Sequence, residues 1–288
     1  MTRKEIDEHT GTETTGHEWD GIKELNTPLP RWWLWLFYIT IIWSVGYWIV
    51  MPAWPLVSDY TRGVLNHSQR RDVAEAVEAL KAARADFSAK LSGATLQQIE
   101  GDPSLLQFAM ASGKSSFGDN CATCHGAGGQ GGPGYPNLND DVWLWGGTLD
   151  DIRTTITTGI RSTHEETRQS IMPAFGKDEL LTKEQIADAA EYVLALSGQQ
   201  ADAAAVSRAA PLFEEQCSIC HGPQGKGMRE FGAPDLTDAD WLYGSSREAI
   251  TAQIVNPKMG QMPTWQGRLD KATIDALAVY VHSLGGGE

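Results

Sequence analysis

Cys121-Ala122-Thr123-Cys124-His125 is answered farther along the chain by Cys217-Ser218-Ile219-Cys220-His221. The two stretches hold all four cysteines, which leaves none for structural disulfides. The spacing C-x-x-C-H is a signature of c-type heme attachment. Two thiols on one helical turn can each add across a heme vinyl group, while the adjacent histidine meets the iron. A thioredoxin-like dithiol and half of a zinc site share the C-x-x-C spacing, but neither requires a histidine directly after both pairs. Two covalently bound hemes c are therefore expected, held through Cys121, Cys124, Cys217 and Cys220, with His125 and His221 as axial iron ligands.

The repeat extends well beyond these motifs. Phe117 and Phe213 each stand four residues before a first cysteine, one helical turn away on the same face. Tyr135-Pro136-Asn137-Leu138 is echoed by Ala233-Pro234-Asp235-Leu236, and Trp143-Leu144-Trp145-Gly146 by Trp241-Leu242-Tyr243-Gly244. Ile171-Met172-Pro173-Ala174-Phe175 answers to Gln261-Met262-Pro263-Thr264-Trp265. Finally, Ile186, Tyr192, Val193 and Leu196 match Ile274, Tyr280, Val281 and Leu284 with helical periodicity, and Thr182 with Gln185 reads as a capping box. Two copies at so long a period exclude a solenoid and indicate two helical domains.

Each copy runs from the cysteine motif through a glycine-rich loop and a Met-Pro to an amphipathic helix. That order resembles the class I cytochrome c fold, in which the first and last helices cross and the methionine loop closes over the heme. The expected domains are 113–198 and 202–288, with Ala201 to Ala205 marking the seam. Gly126 to Gly134 suits a sharply turning loop, a flexible linker being the alternative.

Methionine is ordinarily a core filler. Met172, however, is the only methionine between His125 and Met228, and it occupies the matching Met-Pro position. In the second copy Met228 and Met259 compete, but only Met262 precedes a proline in register. A thioether opposite histidine raises the heme potential and closes the sixth position, as an electron carrier requires. Met172 and Met262 are thus the expected distal iron ligands, each serving its own domain, with an exchange between domains left open. The resemblance further implies that the carbonyls of Pro136 and Pro234 orient the ligating imidazoles. His164 lies in a charged stretch and reads as solvated, His282 as a surface residue, and His9, His17 and His67 belong to no constellation.

Net charge is −14, which disfavours nucleic acid and anionic lipid as partners and favours a basic protein. Against that polarity, Trp32 to Ser58 carries no charged side chain. About 20 apolar residues cross a bilayer's hydrocarbon core, and Trp32 to Met51 supplies them, with Trp32, Trp33 and Trp35 at one end and Tyr47, Trp48 and Trp54 at the other. A cleaved signal peptide would need a shorter core, a basic start and a small-residue cleavage site. The expected order is a tail (1–31), a transmembrane anchor (32–54) and a linker (55–112) in which 68–91 forms an amphipathic helix. The flanking basic residues are too evenly divided to orient the anchor.

The run Trp19-Asp20-Gly21-Ile22, Glu24-Leu25-Asn26 and Pro28-Leu29-Pro30-Arg31-Trp32-Trp33, continuing through Tyr47-Trp48 to Pro52-Ala53-Trp54-Pro55, resembles the diheme subunit of cbb3-type cytochrome c oxidase. The resemblance covers essentially the whole chain. It implies an all-α protein with one N-terminal transmembrane helix followed by two tandem class I cytochrome c domains. It also implies a cytoplasmic tail, periplasmic heme domains at a bacterial inner membrane, and a proton-translocating terminal oxidase whose oxygen-reducing site lies in another subunit. The implied partners are a cytochrome c donor, the monoheme cytochrome subunit and the catalytic heme-copper subunit. A diheme membrane cytochrome serving a dehydrogenase or a bc-type complex would share the heme features and lack the block around Trp19 to Trp33. A diheme peroxidase or gas sensor would need an open sixth position.

Overall fold

The computed structural model describes residues 4–287. The chain divides into two compact units, one reaching Ala83 and one starting at Arg84.

In the first unit a short antiparallel hairpin pairs β1 (Thr14–Trp19) with β2 (Ile22–Leu25). An all-α reading misses it. Its turn is Asp20-Gly21, with φ of 53° and 84°, the left-handed pair that a tight two-residue hairpin demands and that an Asp-Gly dipeptide supplies. Helix α1 (Arg31–Val50) follows, starting one residue before the expected span and ending four before its expected end, with no buried residue. It is long and apolar enough to cross a membrane. Helix α2 (Gln69–Gly93) runs from this unit into the next.

The second unit holds α3 (Leu96–Gly101), α4 (Pro103–Asn120), α5 (Ala122–His125), α6 (Leu149–Thr158), α7 (Lys183–Leu196), α8 (Ala203–Gln216), α9 (Ser218–His221), α10 (Arg247–Val255) and α11 (Lys271–His282). Most begin at a side chain that accepts from free first-turn N–H groups: Thr95, Asp102, Thr148, Thr182, Asp202, Ser246 and Asp270. Thr182 and Gln185 make the expected reciprocal capping box.

The helices do not pair as a self-contained repeat predicts. Instead of crossing α7, helix α4 of the first copy packs against α11, the last helix of the second, and α7 packs against α8. One core gathers Ala109 and Phe117 of α4, Leu149, Ile152 and Ile156 of α6, and the buried run Ile274 to Val281 of α11. The other gathers Phe175, Ile186, Ala189, Ala190 and Val193 with Ile250 and Ile254 of α10. The physical reason lies in the connections. Only residues 197–202 join α7 to α8, and short connections favour antiparallel neighbours. With α7 taken, α4 is completed by the equivalent face of α11. At that crossing Gly113 lets the backbones touch: a Cβ there would stand 2.3 Å from the carbonyl oxygen of Ala276.

The first core also begins earlier than residue 113. Helix α4 starts at Pro103, and Leu91, Leu96 and Ile99 are buried beneath it. The C-terminal end of the amphipathic helix therefore packs on this core, with Phe87 stacked on Phe108 at 5.2 Å, whereas Val73, Val77 and Leu80 remain exposed.

Candidate heme-binding sites

Each cysteine motif is a single helical turn that follows a longer helix, the two joined at Cys121 (φ −112°) or Cys217 (φ −113°). The N–H of Cys121 donates to Phe117 (2.8 Å) and that of His125 to Cys121 (2.9 Å); the second copy repeats this with Cys217 to Phe213 (2.9 Å) and His221 to Cys217 (3.0 Å). The thiols of each pair consequently share one face, and the histidine sits at the end of the turn. Buried Phe117 and Phe213 hold the turns onto their cores.

The glycine-rich loops that follow are fixed, not linker-like. His125 O accepts from Gly131 N (2.7 Å) and Gly129 O from Leu138 N (2.7 Å); His221 O accepts from Gly227 N (2.8 Å) and Gly225 O from Leu236 N (2.7 Å). Each loop delivers a proline carbonyl to the far side of its imidazole. The Nδ1 of His125 lies 3.1 Å from Pro136 O, and that of His221 lies 3.1 Å from Pro234 O. A carbonyl only accepts, so Nδ1 carries the proton and Nε2 presents its lone pair. Burial lowers both imidazole pKa values, opposed in part by the carbonyl bond. Both effects suit a metal ligand: the ring is neutral and its orientation is set.

The thiols speak against the dithiol reading. Burial, with a contribution from the neighbouring cysteine, pushes Cys121 and Cys217 up to about 11, whereas a redox-active dithiol needs a depressed pKa.

The methionines are exchanged relative to the expectation that each serves its own copy. Met262 packs against the first core together with Cys121 and Ala122, and Met172 packs against the second with Leu212, Leu236 and Trp241. Backbone bonds fix the exchange. Ile160, just after α6, pairs both ways with Met262 (3.0 Å each), and Thr264 Oγ1 donates to Thr157 O (2.6 Å). Reciprocally, Gly176 and Lys177 of the Met172 loop donate to Val255 O at the end of α10 (3.2 and 2.9 Å). The competitors lie elsewhere: Met259 is exposed, and Met228 bridges to Ala233.

Where the chain passes between the cores, Arg161 donates to Gly260 O (2.7 Å) and Ser170 O (3.2 Å), and Gln261 Nε2 donates to Arg161 O (2.7 Å). No sequence signal separates this arginine from others in a charged stretch. His164 is half-buried, contrary to its solvated reading, and bonds to Gln266. His282, expected at the surface, is half-buried beside Glu100 at 3.5 Å. His17 stacks on Trp19, and His67 lies 3.4 Å from Asp72.

Known proteins resemble this chain along its whole length. Residues 11–58 match the model of the N-terminal domain of cytochrome oxidase-cbb3, FixP; 110–197 match cytochrome c; and 204–281 match cytochrome c oxidase, cbb3-type, subunit III. The cbb3-type cytochrome c oxidase subunit FixP of Bradyrhizobium diazoefficiens is 55% identical over 99% of this chain and 98% of its own. Subunit CcoP of Cereibacter sphaeroides is 51% identical (96% and 95%), and that of Azospirillum brasilense 48% (100% of both). The chain belongs to the FixP/CcoP family. As a member of that family it is an electron-transfer subunit of a cbb3-type cytochrome c oxidase, distinct from the catalytic subunit. The two cytochrome c domains, each with its cysteine pair, are consistent with two hemes c. The donor set fits the group: in each copy two thiols on one helical turn and an imidazole oriented by a proline carbonyl, with one methionine packed on each core.

Proposed function

We propose that the chain is a membrane-tethered relay with two closed heme sites. One site is built from Cys121, Cys124, His125 and Met262, the other from Cys217, Cys220, His221 and Met172. Bound heme supplies a one-electron iron couple. The cysteines would hold it covalently, Pro136 and Pro234 orient the imidazoles offered to it, and the methionine thioethers would favour its ferrous state and compete with small ligands for the iron. The observation that carries this reading is that Met262 packs on the core that takes in Cys121 and Ala122, while Met172 packs on the core that takes in Leu212 and Leu236, which flank the Cys217–His221 motif along the chain.

A cytochrome c donor would deliver electrons, and the monoheme and catalytic heme-copper subunits would receive them. Helix α1 anchors the chain in the bacterial inner membrane, with the tail cytoplasmic and the heme domains periplasmic, the side on which c-type hemes are attached. Tethering keeps the relay beside its acceptor and replaces a diffusional encounter by a high effective concentration.

Exposing the dithionite-reduced full-length chain to carbon monoxide tests the closed sites. An unchanged Soret spectrum is expected. Stoichiometric carbonyl formation at either heme would instead support a peroxidase or gas-sensor reading.

A further inference from the structure

We propose that the loop between α1 and α2 is a second membrane contact, in which residues 54–65 lie in the headgroup-acyl boundary of a phospholipid bilayer and Leu56 and Val57 insert among the lipids. The proposal rests on the reading of α1 as a membrane span.

Twenty residues of α1 rise about 30 Å, the thickness of a hydrocarbon core, so the last turn, Tyr47 to Val50, stands at the membrane boundary. Beyond it the chain does not leave. Trp54 returns to pack edge-on against Trp48, with ring centroids 4.8 Å apart, and Tyr60 shares a hollow with Tyr47 and Met51. Val64 N and Leu65 N then donate to Ile49 O (3.0 Å) and Val50 O (3.1 Å), satisfying carbonyls that a helix end leaves unpaired. Gly63 makes this return possible: its φ is +68°, and a Cβ there would come within 2.3 Å of Val50 O. The loop is therefore held at the depth of the last helical turn.

Its interior bonding suits a medium poor in water. Thr61 N donates to Trp54 O (2.9 Å), Ala53 N to Thr61 O (3.3 Å) and Leu56 N to Asp59 O (2.6 Å), closing the neck of the loop. Its uncovered side chains are mostly apolar, and its one exposed acid, Asp59, is paired with Arg62 at 3.3 Å. Leu56, Val57, Val64 and Leu65 are all exposed, Val57 completely. Water penalises such surface, and acyl chains do not. Trp54 and Tyr60 have the amphipathic rings that gather at membrane interfaces. Arg70 and Arg71 follow the loop at the start of α2, where long cationic side chains can extend to phosphate headgroups, although Arg71 also lies 3.8 Å from Glu75. Apolar tip, aromatic flank and cationic rim, continuous with a span, commit the occupant to lipid.

The chain has no cysteine outside the two heme motifs, so Val57→Cys introduces a single free thiol. The full-length holoprotein carrying a nitroxide at that thiol, reconstituted into phosphatidylcholine-phosphatidylglycerol vesicles, reports its surroundings through collisions with oxygen, which concentrates in lipid, and with a water-soluble nickel chelate. The ratio of oxygen to nickel collisions should be several-fold higher at residue 57 than at an Ala79→Cys control on exposed α2, and Leu56→Cys should repeat the result. Equal ratios at 57 and 79, in a chain that resists alkaline carbonate extraction, would overturn the proposal while leaving the span intact. Extraction by carbonate would instead remove the span and the proposal with it. Shielding from nickel without oxygen enrichment, appearing only when the other oxidase subunits are present, would assign the loop to a protein contact and equally overturn it.

Discussion

At the scale of single residues, each proposed site would offer iron an imidazole nitrogen and a softer thioether. The imidazoles are readable from the motif alone, because the histidine adjoins the cysteines. The thioethers are not, because a Met-Pro says that a methionine loop exists without saying which core it covers. Met262 lies with Cys121 and Ala122, so its replacement should act on the heme of the first motif. In a chain limited to that heme by Cys217→Ala and Cys220→Ala, Met262→His should lower the midpoint potential, since a nitrogen donor stabilises the ferric state relative to a thioether. Met172→His in the same background should leave it nearly unchanged. Redox titration decides the matter, and the opposite pattern would restore pairing within each copy.

At the scale of elements, the helical faces were legible and their partners were not. Phe117 meets Tyr280, with ring centroids 5.4 Å apart, and Phe213 meets Tyr192 at 4.8 Å. The periodicity marks all four as core-facing. Because both copies carry the same residues at the same offsets, however, a self-contained and an exchanged pairing satisfy the pattern equally. Only the short connection at 197–202 favours one of them. The β1-β2 hairpin is hard to read from sequence for a different reason: its strands are short and polar, and its one signal is the Asp20-Gly21 turn.

A double-mutant cycle tests the pairing. Phe117→Ala should cost about 3–5 kcal/mol, and Phe117 should couple to Tyr280 by about 0.5–1.5 kcal/mol in denaturant unfolding. Coupling between Phe117 and Tyr192 should be absent. A second element-level prediction concerns Glu191 of α7, which accepts from Arg247 of α10 and from the N–H of Asp202 (2.8 Å) at the start of α8. The arginine, followed by that backbone bond, lowers its pKa. A depressed carboxylate contributes stability above its unfolded value of about 4.3, and the contribution is lost as pH falls through the folded value. Glu191→Gln should therefore lower the unfolding midpoint at pH 7 and flatten its decline in acid. Parallel wild-type and variant curves from pH 7 to pH 3 would show that Glu191 joins no stabilising contact.

At the scale of the whole molecule, charge decides how a soluble donor would meet the relay. Residues 113–198 carry 12 acidic and 6 basic side chains, and 202–288 carry 11 and 7. Part of this charge is locally compensated, since Asp150 pairs with Arg153 (2.6 Å) and Asp151 with Arg168 (3.6 Å). The aspartates ahead of the two tryptophan motifs are different. The Asp140 carboxyl is raised by burial and then by its neighbours Asp240 and Asp141; Asp238 is raised by burial and then by Asp235 and Asp240. Asp140 of the first copy is thus close enough to Asp240 of the second to be repelled by it, a proximity that sequence could not place because the two are distant along the chain. Acidic charge also keeps domains soluble, and salt separates that role from docking. If a basic cytochrome c docks there, its second-order rate of reducing this chain should fall as ionic strength rises, because the Debye length shrinks to about 8 Å near physiological salt. Asp140→Asn with Asp240→Asn should slow the reaction at low salt and flatten its salt dependence, while the variant converges on the wild-type rate at high salt. Stopped-flow reduction across a salt series measures both slopes; a wild-type rate indifferent to salt would place the donor on an apolar heme edge.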